Sequence, residues 1–208
     1  MPEQGEAAQV LAAADRLFND QGVQAVGMDR IRDAAKVPLK RLYRHFPSKS
    51  ALVCAVLEQR DRDVRSAITE YVAGRADTPR ERILAVFDFL HEWFAEPGFR
   101  GCLFINTVGE LGGTSDEVGR IARRHKTAMR DHLAELVTAG GYPPALAEQL
   151  MILANGAMVT AVVQDEGPRA ARQAQAVAAV LLSAAEAQEV APGGPGPVRG
   201  SRAIDSAQ

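Results

Sequence analysis

The chain has 208 residues, a net charge of −2 and 47% hydrophobic residues. That is ample for a core, and the acidic balance argues against a protein that packages nucleic acid without sequence preference. Cys54 and Cys102 make no disulfide framework, the N-terminal MPEQGEAAQ has neither the basic start nor the apolar core of a signal peptide, and no apolar stretch approaches the roughly 20 residues that cross a bilayer, so a cytoplasmic location is expected.

No alternating β-branched run is present, and the composition is rich in Ala, Leu, Arg and Glu, so the expected fold class is all-α with about nine helices. In the first helix Val10, Leu11, Ala14, Leu17 and Phe18 share one face, and Gly22 closes it. A short second helix spans residues 28–35, and Lys36 and Val37 make the turn after it. Pro38 opens a third helix, on which Leu39, Leu42 and Phe46 are expected to face inward. Pro47 stops it, Ser48 caps the next, and a long fourth helix runs to residue 73 with Gly74 at its end.

The segment Thr78-Pro79-Arg80-Glu81 reads as a capping box, opening a fifth helix with Ile83, Leu84, Phe87, Leu90 and Phe94 inside. A short apolar helix follows in GCLFINTVGEL, residues 101–111. Ser115 caps a seventh, with Val118, Ile121, His125, Met129, Leu133 and Leu136 on one side. Two further helices, about residues 144–164 and 168–189, carry apolar residues on nearly every face, so each must bury more than one. The second face is expected to pack on another copy of the chain across a two-fold axis, making a homodimer through the last two helices. The Pro/Gly-rich tail over residues 191–208 is expected to be disordered.

Charge is concentrated in one place. Residues 28–49 hold seven Lys/Arg against two Asp, a net +5, which leaves −7 for the rest of the chain. A short helix loaded with Lys40, Arg41, Tyr43, Arg44 and His45 suits the major groove of DNA. The bland alternative, a solvated charged face, accounts for the charge but not for the helix–turn–helix spacing.

Elsewhere Phe89, Trp93, Phe104, Met129, Met151 and Met158 are candidates to line a small-molecule cavity. Asn106, Glu110, His125 and Asn155 are the polar groups among them. At any single position ordinary core packing is the favoured reading; a hydrogen-bonded core histidine is favoured for His125. Cys102 begins a helix, a position that can activate a thiol, although an inert buried cysteine is the favoured reading. No His/Cys/Asp spacing matches a metal cage, and no nucleophile elbow or phosphate-binding glycine loop is present, so neither metal, cofactor nor enzymatic activity is expected.

The text VLAAADRLFNDQGVQAVGMDRIRDAAKVPLKRLYRHFPSKSALVCAVL resembles the DNA-binding domain of TetR-family transcriptional regulators, most specifically in LYRHFPSKSAL. The resemblance implies a three-helix helix-turn-helix head at residues 1–48 and a larger helical ligand-binding and dimerisation domain at residues 49–190. Residues 38–46 would be the recognition helix. Tyr43 and His45 match positions that touch DNA, and Lys49 matches a phosphate-binding lysine. Lys36 stands where the family usually has Gly, and Pro38-Leu39-Lys40-Arg41 replaces its usual Ser-Lys-Gly-Thr, so no operator sequence is implied by relatives. Arg41 is the best candidate to read guanine. The implied function is a repressor on a palindromic operator of double-stranded DNA, released by a small-molecule inducer. The alternative is a helical small-molecule-binding protein or enzyme that has lost DNA binding.

Overall fold

The computed structural model describes residues 2–190, with side chains over residues 5–188; the tail expected to be disordered lies outside the described residues. Among the described residues there are nine α-helices and no strand: α1 (Pro2–Gln21), α2 (Met28–Ala35), α3 (Leu39–His45), α4 (Lys49–Arg75), α5 (Pro79–Phe94), α6 (Leu103–Leu111), α7 (Asp116–Ala139), α8 (Ala145–Val163) and α9 (Pro168–Val190). Local signals explain most ends. Ser48 and Ser115 accept from Ala51 N–H and Val118 N–H, and the Thr78 capping box is complete in both directions. Gly22 carries φ +82° immediately after α1, a left-handed exit that glycine adopts without Cβ strain.

Three expectations are corrected. Gly74 does not end α4, which continues to Arg75 and stops at Ala76; a glycine lowers helix propensity but forbids nothing when the flanking turns are packed. Leu39 is 37% exposed rather than inward: it opens the first turn of α3 directly after the Pro38 N-cap, at the edge of the face that Leu42 buries. Finally, α8 is 19 residues long with a mean hydropathy of 1.5, so by length and composition it could cross a bilayer, contrary to the expectation from the sequence. Only Asn155, Thr160 and a few residues at its N-terminus interrupt its apolar run.

Two apolar cores form, and they do not divide at residue 48. The first gathers α1–α3 around Phe18, Ile31 and Leu42, and continues through Leu52, Val56 and Leu57 of α4 into Leu103 and Phe104 of α6 and Ile121 of α7. The second packs the far half of α4 with α5, α7, α8 and α9 around Phe87, Leu90 and Leu150. Met158 touches both. The helix-turn-helix segment therefore rests on α4, α6 and α7 through continuous side-chain packing rather than through a linker.

The turn between α2 and α3 carries a cost. Lys36 sits at φ 55°, ψ 37°, and its neighbour Val37 N–H reaches back to Arg32 C=O, the arrangement in which glycine is usual. A side chain in the left-handed region costs roughly 1–2 kcal/mol, part of which the extra freedom of an unfolded glycine would return. Lys36→Gly should therefore raise stability by about 0.5–1 kcal/mol in urea denaturation, as a higher midpoint at unchanged slope. A lower midpoint would mean that the Lys36 side chain contributes a contact that outweighs the strain.

Candidate functional site

The basic segment presents an outward face. Lys36, Lys40, Arg41, Tyr43 and Arg44 are all exposed, while Ile31, Ala35, Val37 and Leu42 on the opposite side are buried. The exposed residues are not equivalent. Arg41 ion-pairs with Glu6 of α1, so its guanidinium must leave that carboxylate to reach a base edge. His45 turns back toward the same Glu6, at 3.7 Å, with its side chain only 15% exposed. Lys49 begins α4 and donates from Nζ to the Gln24 carbonyl at 3.2 Å. Lys40 and Tyr43 stand clear at the surface.

A second site lies within the helical body. A narrow, mostly apolar pocket of about 650 Å³, counted together with the solvent space at its mouth, is walled by α1, α4, α5, α6, α7 and α8. Of the residues expected to line a cavity, Phe89, Trp93 and Phe104 do so, together with His125, Met129, Met151 and Met158. The other three lie elsewhere. Asn106 is exposed and donates to the Arg100 carbonyl. Asn155 holds Lys126, which itself lines the cavity. Glu110 is at the opposite end of α6, against the helix-turn-helix segment. Trp93 is backed by further rings, with Phe99 edge-on at 5.2 Å from it and Phe94 stacked at 4.5 Å from Phe99.

One buried polar pair, of which His125 lines the cavity and Asp61 stands behind it, was not announced by the sequence. Asp61 of α4 is 6% exposed and accepts from His125 Nδ1 at 2.7 Å, and the imidazole stacks flat on Phe104 at 3.8 Å. Asp61 reads as a solvated residue in an Arg/Asp run, QRDRDVR, and only three-dimensional placement opposite His125 singles it out. Cys102 is buried at the N-cap of α6 and also lines the cavity. The Cys54 thiol is pushed above its ordinary value by burial, then by the nearby Glu117 and Glu58 carboxylates, which disfavours the reactive thiolate.

The sequence pattern of "Bacterial regulatory proteins, tetR family" matches residues 10–56. A crystal structure of a TetR-family transcriptional regulator from Streptomyces coelicolor superimposes with a TM-score of 0.79 at 30% identity, covering 88% of this chain and 96% of that one. The chain belongs to the TetR family of transcriptional regulators. Among curated relatives, the HTH-type transcriptional activator FasR of Mycolicibacterium smegmatis is 36% identical over 93 residues, 43% of this chain and 42% of that protein. The HTH-type transcriptional repressor NemR of Escherichia coli is 27% identical over 110 residues, 52% of this chain and 55% of that one. The matched stretches thus span about half the length of these two relatives. They are named for opposite signs of regulation.

For a DNA-binding regulator of this family, the informative geometry lies between the two sites. The Glu110 carboxylate accepts from Val23 N–H at 3.0 Å and Gln24 N–H at 2.7 Å, in the loop between α1 and α2, and the Glu110 carbonyl accepts from Gln24 Nε2 at 2.6 Å. Gly22 fits beside it with no room to spare, since a Cβ there would stand 3.0 Å from the carboxylate. Two further ties join α1 to the body. Asp15 takes a bidentate pair from Arg60 of α4, at 3.0 and 2.7 Å, and Asn19 donates to the Gly98 carbonyl at 2.8 Å. Arg60 and Asn19 both line the cavity. None of the three ties was assigned this role from the sequence.

Burial depresses the His125 imidazole below its ordinary 6.5, an effect larger than the opposing pull of the Asp61 hydrogen bond; burial depresses His132 in the same direction. The unfolded chain therefore binds more protons than the folded one just below pH 6.5, and stability falls as pH falls through that window. Unfolding free energy should decline on acidifying from about pH 7.5 to about pH 5.5, and His125→Gln should flatten the decline. An unchanged pH slope in the variant would show that His125 is not the titrating group.

Proposed function

We propose that the protein is a homodimeric, ligand-released repressor that holds a palindromic operator when its cavity is empty. In each subunit residues 1–48 read DNA and residues 49–190 bind the ligand and the second copy. The observation that carries this reading is the position of α6. Its N-terminal residues line the cavity, and its last turn holds the α1–α2 loop beside the basic face. A ligand that displaces the N-terminal end of α6 reorients that loop. By linkage, operator DNA then weakens ligand binding by the same factor.

On the DNA, Lys40, Arg44, Tyr43 and Lys36 lie along phosphates or the groove edge. Arg41, freed from Glu6, is the candidate for a bidentate guanine contact. Lys49 supports this surface by fixing the α1–α2 loop through Gln24 while its charge faces the duplex; His45 packs behind the face and orients Arg41 through the shared Glu6.

Dimerisation is supported by what α8 and α9 leave uncovered. Ile152 is 70% exposed, Val163 77% and Val180 67%, with Val159, Val162 and Val177 around them. A helix of mean hydropathy 1.5 with one third of its length buried in the subunit needs a further partner. A second copy of the same face supplies one and sets two recognition helices about 34 Å apart.

Two measurements test this. First, binding to the promoter beside its own gene, followed by anisotropy across a salt series, should be lost steeply with salt. Lys40→Ala should reduce the slope of log K against log salt by about one. No affinity for any palindrome at low salt would sink the assignment; ligand-dependent gain of promoter binding would reverse the sign to an activator. Second, Ile152→Glu with Val163→Glu should give a folded monomer on size exclusion that has lost most operator affinity. A dimer that survives both charges would move the interface elsewhere.

A further inference from the structure

Ligand class is written in the charges of the cavity wall. Four polar side chains line it, Asn19, Arg60, His125 and Lys126, and no carboxylate does. The Arg60 charge is answered by Asp15 through a bidentate pair, and His125 Nδ1 is held by Asp61. Lys126 differs from both. The Lys126 side chain is partly buried and donates from Nζ to the neutral Asn155 Oδ1 at 2.7 Å, and among the described residues no carboxylate lies within ion-pairing distance. A partly buried cation that lines an apolar cavity without a counter-charge attracts an anion more strongly than a fully exposed one does. The remaining wall is apolar, with Phe89, Trp93 and three methionines able to adapt to a flexible chain or ring. The N-terminus of α6, whose cap residue Cys102 makes no side-chain hydrogen bond, meets the same space and adds no negative charge.

We propose that the cavity takes an apolar carboxylic acid in its ionised form, with Lys126, positioned by Asn155, neutralising the head group and the aromatic and methionine wall taking the tail. A single lysine point charge, with part of its donor capacity already used by Asn155, matches a monoanionic carboxylate better than a phosphate dianion. This rests on the cavity being the ligand site of the proposed function. It names the chemistry that the site selects.

Trp93 is the chain's one tryptophan and lies in the wall, so its emission reports occupancy directly. The full-length protein is titrated with decanoate and 4-phenylbutyrate and, in parallel, with the matching primary alcohols, 1-decanol and 4-phenylbutanol. At least one acid should bind about tenfold more tightly than its alcohol, the size expected of a charge-assisted hydrogen bond made out of water. Lys126→Met, which keeps the apolar stem, should abolish that preference without weakening the alcohol, and Lys126→Arg should keep it. Thermal unfolding of each variant checks that it is folded.

Equal binding of acid and alcohol, no binding of either acid, or a preference that survives Lys126→Met would overturn the proposal. Operator release is scored separately on the same samples. An acid that binds at Trp93 but leaves the operator complex intact keeps the ligand class and contradicts the regulatory reading. A neutral alcohol that binds as well as its acid and releases the operator does the reverse.

Discussion

One carboxylate ties the cavity helix α6 to the loop between α1 and α2. Glu110 receives two backbone N–H groups of the α1–α2 loop, and those donors have no helical partner because they lie past the end of α1. Hydrogen bonds to a charged acceptor contribute about 1.5–3 kcal/mol, which is the magnitude of a typical regulatory coupling of 1–3 kcal/mol. Because α6 is only nine residues, about 13 Å, a shift that moved it as a rigid body at its cavity end would move Glu110 with it. The close fit of Gly22 against the carboxylate makes that contact intolerant of small displacements.

The continuous first core explains why a rigid connection is available. Leu103 and Phe104 pack with the residues that hold up α2 and α3, so the cavity wall and the basic face share one set of neighbours. The Arg60–Asp15 pair and the Asn19–Gly98 bond lie on the same route, each with one partner at the cavity. Such ties pass on a displacement because packed interiors are stiff. The strained turn at Lys36 joins α2 to α3, and replacing Lys36 by glycine would relax that step.

The fold was largely legible from local signals. Alternation of caps and breakers placed Met28–Ala35 without error and Lys49–Arg75 within two residues, because Ser48, Thr78, Ser115 and the glycines act over a few residues of chain. Family resemblance in LYRHFPSKSAL made the function class readable from a quarter of the sequence. Contacts across the fold were not legible. Asp61 looks like one charge in a solvated run until α7 brings His125 to it, and Lys126 looks like an ordinary surface lysine until α8 supplies Asn155. Glu110 was grouped with the cavity because it shares α6 with Phe104, yet two turns of helix separate the ends and point them at different parts of the molecule. Helical periodicity assigns a face, but it does not say what lies opposite that face.

The central claim is that occupancy of the cavity is felt at the Glu110 hydrogen bonds. Amide hydrogen exchange at Val23 and Gln24, followed while decanoate fills the cavity and Trp93 emission tracks occupancy, tests it directly. The account predicts slow exchange in the empty protein and faster exchange at both amides in proportion to occupancy. Full protection of both amides at saturation, with the operator released all the same, would contradict it.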